Sequence, residues 1–154
     1  MIYWEISLER CGEVKILLGL LAMFILIVYS MYFVKIIRGN PQEFELDLSH
    51  ALQNWLQESK PKSLWVLLGV SLLFEMVYFG LVFLVISNPV TLALTLLIIA
   101  VEVWHLAKVL RALRAFFAGT IASTGIFDWK VERVSAMGFF SHSLIVLLTL
   151  IFVG

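Results

Sequence analysis

The sequence predicts an all-α integral membrane protein: four transmembrane helices in an antiparallel bundle, with one amphipathic helix on the cytoplasmic side. Three observations predict it. Four apolar runs, at about 16–34, 64–86, 90–107 and 134–153, take up most of the 154 residues. Hydrophobic residues make up 62% of the chain and charged residues only 14%, against roughly a quarter charged in a soluble globular domain. The basic residues gather in two of the connections between the runs. Apolar surface on this scale, with a mean hydropathy of +1.01, needs lipid as its solvent. A single membrane domain over 1–154 is expected.

The first span, Ile16 to Val34, has 19 residues without a charge and is closed by Lys35. About 20 apolar residues cross roughly 30 Å of hydrocarbon as a helix. Ahead of it, Glu5, Glu9 and Glu13 stand against Arg10 and Lys15, and the run ends in Tyr29-Ser30-Met31-Tyr32-Phe33. Neither feature suits a cleaved signal peptide, so this segment is expected to remain as a membrane helix. The lone cysteine, Cys11, can form neither an internal disulfide nor a multi-thiolate metal site.

An amphipathic helix over about 41–58 follows. Asn40-Pro41-Gln42-Glu43 reads as an N-cap, a first-turn proline and a Glu three residues on. Phe44, Leu48, Ala51, Leu52, Trp55 and Leu56 then recur at helical spacing, opposite Glu43, Gln53, Asn54 and Gln57. The second span, Leu64 to Ile86, carries one charge, Glu75, and ends at the turn Ser87-Asn88-Pro89. The third, from Val90 to about Ala107, carries Glu102 and His105 and continues as a basic helix through Lys108, Arg111 and Arg114 to Gly119. Asp128 is placed to start the last helix, whose apolar run from Val134 to Val153 includes His142.

Charge sets the expected direction. Nine of the eleven Lys and Arg lie in the 35–63 and 108–133 regions, and none lies in the Ser87–Pro89 turn or at the C-terminus. The positive-inside rule makes both long connections cytoplasmic and leaves both termini outside a cell membrane. Trp55, Trp65, Trp104 and Trp129 fall at the same expected interface, where indole rings prefer to sit. Lys108, Arg111 and Arg114 are then expected to meet lipid headgroups or an acidic partner. The formal net charge of zero gives no case for nucleic acid.

A functional reading rests on the polar residues inside the spans. A charge at the centre of a membrane helix costs about 2.5–3.5 kcal/mol on insertion scales, so Glu75, Glu102, His105 and His142 call for an explanation. Glu102, His105 and His142 fall in the same expected depth zone, and Glu75 lies nearer the middle. Ser135, Gly138, His142 and Thr149 share one stripe of the last helix, and Ser71, Glu75 and Tyr78 share a face of the second span. Ala93, Ala100 and Ala107 form a small-residue seam almost opposite Glu102, which suits contact with another subunit.

Several activities fit. The four ionisable groups can relay a proton or bind a cation in a transporter or channel. His105 and His142, on different helices, can ligate a haem b iron, with Lys108 and Arg111 near its propionates. The plain alternative is that these groups hydrogen-bond one another and fix helix register. One Glu-x-x-His pair is too few for a carboxylate-bridged di-metal site. No phosphate-cradling glycine loop and no Gly-x-Ser-x-Gly motif is present.

In size and expected topology the chain resembles the MAPEG family of glutathione-linked lipid enzymes. The short Asn88-Pro89 turn, followed by a helix with Val103-Trp104-His105 and later basic residues, carries the likeness. The family's Arg-x-x-Asn-x-x-Glu pattern is absent from the second span, which reads Leu64-Trp65-Val66-Leu67-Leu68-Gly69-Val70. The resemblance therefore implies no catalytic residue. The expectation drawn from the whole sequence is a non-enzymatic subunit or scaffold of a membrane assembly, a homo-oligomer or larger complex, with the transporter and the small membrane enzyme as alternatives.

Overall fold

A computed structural model describes residues 2–58, 62–121 and 125–152, with side chains described for 12–55, 63–121 and 125–152. The described residues form five helices and no strand: α1 (Ile2–Ile37), α2 (Gln42–Glu58), α3 (Lys62–Val85), α4 (Pro89–Phe117) and α5 (Trp129–Phe152). Four of these contain stretches long and apolar enough to cross a membrane: Gly12–Ile37, Ser63–Val85, Pro89–Phe117 and Trp129–Phe152. Their outer faces carry exposed Leu, Ile, Val, Phe and Met throughout, as in a protein solvated by hydrocarbon. The readings made for Cys11, Leu56, Gln57 and Val153 fall on side chains outside the described residues.

Local chemistry sets the helix ends. Asn88 caps α4, its Oδ1 accepting from the backbone N–H of Val90 at 2.9 Å and of Thr91 at 3.2 Å. Pro89 takes the first helical position, where its missing N–H costs nothing. At the other end Ala118 N–H donates to the Arg114 carbonyl, and Gly119 turns the chain with φ +73°. Gly39 does the same after α1 with φ +76°, a conformation that a Cβ would strain. The start of α2 differs from the sequence reading: the Pro41 carbonyl, not that of Asn40, accepts the first helical bond, from Glu45 N–H at 3.0 Å. Pro41 therefore stands at the cap position in place of Asn40, and the helix begins one residue later than expected, at Gln42.

The four long helices close a ring, because α1 touches α5 and α3, and α4 touches the same two. The main core lies inside it. Leu18, Ala22 and Ile25 of α1 meet Tyr78, Phe79 and Val82 of α3 and Phe139 and Val146 of α5. A second, smaller core of Leu64, Leu113 and Ile126 lies near the basic connections, with Leu52 and Trp55 of α2 against it. α4 packs tightly on α5 at Gly138, where an added Cβ would stand 3.1 Å from Ile98 Cδ1.

That contact generates a test. Gly138→Leu should push α4 from α5 and lower stability by about 1–3 kcal/mol. Thermal unfolding of the purified protein in detergent would read it, and an unchanged midpoint would contradict this packing.

Candidate functional site

α5 is joined to its neighbours by polar side chains that lipid could not satisfy. At its centre His142, 2% exposed, bonds Tyr78 of α3 through Nδ1 at 3.0 Å and Thr95 of α4 through Nε2 at 2.8 Å. The Thr95 hydroxyl also donates to the Thr91 carbonyl at 2.8 Å. One turn further along, Thr91 and Thr149 face each other through their hydroxyls at 3.1 Å. An apolar layer follows in the other direction, with Ile98 over Gly138 and Phe139 stacked between Tyr29 and Phe79.

Beyond that layer lies a second polar group. His105 stands between two carboxylates: Nδ1 lies 3.0 Å from Glu102 Oε2, and Nε2 lies 2.8 Å from Glu132 Oε1. A neutral imidazole donates one hydrogen, so two acceptors on its two nitrogens are both satisfied only when the trio holds one hydrogen more. Two carboxylates and an imidazole sharing two hydrogens carry a net charge of −1, wherever those hydrogens sit. Glu102 is 7% exposed, and its other oxygen, Oε1, is buried without a hydrogen-bond partner among the described residues. An orphaned buried acceptor costs about 1–3 kcal/mol, and more when charged.

The trio opens into a cavity of about 400 Å³ to which all five helices contribute. Its walls are mainly Leu, Val, Phe and Tyr, and Glu75 and Ser71 complete its polar part. Glu75 accepts a long bond from Ser71 at 3.3 Å, within its own helix. Next to the trio, Lys108 donates to Asp128 at 2.7 Å and lies over the Trp104 ring at 4.6 Å. Lys108 also holds the Asp128 carboxyl below its ordinary range. Arg111 and Arg114 are exposed.

α2 is fixed along one side of this cavity by a carboxylate clamp. Arg133 of α5 donates to Glu45 twice, Nε to Oε1 at 2.6 Å and Nη2 to Oε2 at 2.8 Å, and the Tyr32 hydroxyl adds a third bond at 2.7 Å. Phe44 stacks on Tyr32 with ring centroids 5.0 Å apart, and Phe44, Leu48 and Leu52 enter the cavity wall.

Of the four ionisable residues singled out in the spans, Glu75, Glu102 and His105 line one cavity. His142 does not join them; it belongs to the Tyr78–Thr95 group beyond the apolar layer. Ser135 lines the cavity, whereas Ser71 and Tyr78 diverge, one exposed and the other buried. Glu132 and the Glu45–Arg133 clamp escaped the sequence reading. Glu132 lies two residues before Val134, on the edge of the Ser135–His142–Thr149 stripe, inside the helix expected from Asp128 but ahead of its apolar run. A haem iron does not fit between His105 and His142, since all four imidazole nitrogens already serve hydrogen bonds. Among the described residues no three His, Cys, Asp or Glu side chains are arranged to hold a metal ion. No protein-family model, curated protein or solved structure matches the chain, so the likeness to MAPEG enzymes rests on size and helix pattern alone.

Arg133→Ala should leave the Glu45 carboxylate buried and unpaired. The cost is set at about 2 kcal/mol, below the ~3–5 kcal/mol of a fully buried pair because Arg133 is about a third exposed. Arg133 holds the Glu45 carboxyl below its ordinary range, so the clamp contributes fully above about pH 4.3 and is lost as pH falls through the lower folded value. Protease sensitivity of the 38–41 connection should rise in Arg133→Ala at neutral pH and in wild type only on acidification. Equal resistance in both would contradict the clamp.

Proposed function

We propose that this protein is a proton- or cation-linked membrane transporter or channel whose working site is the Glu102–His105–Glu132 trio with Glu75. One observation carries the reading. A hydrogen-sharing acid–imidazole–acid group sits in an apolar helical bundle and borders a cavity large enough for a ligand. A plain structural role would be met by a fully satisfied network, yet Glu102 Oε1 is left without a partner. A cation arriving in the cavity beside Glu102 raises the cost of the shared hydrogen's positive charge and favours its release, which exchanges one positive charge for another. The groups facing the trio are Tyr29 and Tyr32 from α1, Glu75 from α3, Lys108 and Arg111 from α4 and Asp128 from the connection before α5.

In this reading the four spans run antiparallel in the cell membrane. α2 lies as an amphipathic helix at the cytoplasmic face, and both termini are outside. The gathering of basic residues in two connections supports that orientation, and exposed Arg111 and Arg114 then face anionic headgroups. A second reading, a homo-oligomeric subunit or scaffold, draws support from Ala93 and Ala100, which are exposed on α4 away from buried Thr91, Thr95 and Glu102.

The test is proton movement in liposomes holding the purified protein and an internal pH dye, driven by gradients of sodium, potassium or a small organic ammonium salt. Wild type should move protons against at least one gradient. Glu102→Gln should slow this by about tenfold or more, the scale of losing a charge-assisted contact. No movement under any gradient, or equal rates in wild type and Glu102→Gln, overturns the reading.

A further inference from the structure

We infer that the cavity is a binding site for an amphiphilic amine: a protonated nitrogen bearing at least one N–H, on an apolar or aromatic body. The inference names the substrate class of the site proposed above and rests on that reading for its link to transport, though binding can be measured without it.

Three features select this chemistry. The first is charge. The trio carries −1 when its two hydrogen bonds are made, and Glu75 adds a further acidic group on the same cavity. An anion is repelled, and a neutral body leaves that charge unanswered in a medium of low dielectric. The second is the orphaned oxygen. Glu102 lines the cavity with a carboxyl group whose Oε1 has no hydrogen-bond partner among the described residues, and an ammonium brought to that group offers up to three N–H donors. The third is shape. About 400 Å³ falls within the range of small-molecule pockets, and the walls are chiefly aliphatic and aromatic. Tyr29 and Phe139, stacked at 5.6 Å, are part of that wall, and among the described residues no Lys or Arg lines the cavity. A bare inorganic cation would leave that apolar volume unused, and it would find no ready set of three ligands among the described residues.

The experiment is calorimetric titration of the full chain in detergent with 4-phenylbutylamine. Its alcohol counterpart, 4-phenylbutanol, and its trimethylammonium counterpart serve as comparators. The amine should bind, the alcohol about tenfold more weakly or not at all, and the trimethylammonium compound more weakly than the amine because it has no N–H. Glu102→Gln should weaken amine binding about tenfold. Glu75→Gln should weaken it less, with the fold kept, since among the described residues the side-chain partner of Glu75, Ser71, lies on its own helix. Glu43→Gln, at an exposed position on α2, should leave it unchanged.

Equal binding of amine and alcohol would overturn the inference and mark the cavity as a seat for lipid chains. Amine binding indifferent to both Glu102→Gln and Glu75→Gln would overturn it as well. Amine binding without coupled proton movement in liposomes would sustain the site and remove the transport reading. Proton movement driven by sodium or potassium, with no amine binding, would do the reverse.

Discussion

His142 is the residue on which the interior of this bundle turns. A buried imidazole in hydrocarbon needs partners for both nitrogens, and it finds them on two different helices, Tyr78 on α3 and Thr95 on α4. That requirement fixes the rotation of α5 about its own axis and its register against both neighbours. With α5 so placed, Gly138 falls against Ile98 and Glu132 falls against His105. Apolar packing alone would be tolerant here, because lipid competes with any Leu–Leu contact on nearly equal terms. Directional bonds between polar side chains supply the specificity that the hydrophobic effect supplies in water.

The same logic separates the two polar groups. Toward the Asn88 end, the Thr91, Thr95, Thr149, Tyr78 and His142 side chains all find partners within the protein. Toward the basic connections, the Glu102–His105–Glu132 trio borders open volume and retains an unanswered oxygen. A satisfied network holds helices together; an unsatisfied one beside a cavity invites a ligand. This contrast, more than the presence of ionisable residues as such, separates the proposed working site from the group that ties the helices together.

The membrane class was legible because lipid imposes a simple rule: runs of about 20 apolar residues must be helices. Glu75, Glu102, His105 and His142 stood out for the same reason, as charges in uncharged runs. Which of them meet was not legible. Depth along a helix follows from counting, but His142 was drawn to a tyrosine and a threonine, residue types that attract no notice in an apolar run. Glu132 was passed over because it precedes the apolar stretch and resembles an ordinary solvated acid. Glu45 and Arg133 are 88 residues apart, and nothing local to either position announces the other. The start of α2 moved by one residue because a proline and an asparagine compete for the same boundary.

The apolar layer of Ile98, Gly138 and Phe139 has an electrical consequence. From Thr95 to Glu102 is roughly 10 Å along α4 at 1.5 Å per residue, and the Ile98 and Phe139 side chains in that layer carry no polar group. Across an energised membrane the voltage drop concentrates in such an insulating stretch, at about 2.3 kcal/mol per elementary charge for each 100 mV. Glu102, His105 and Glu132 then stand on one side of the drop and His142 on the other.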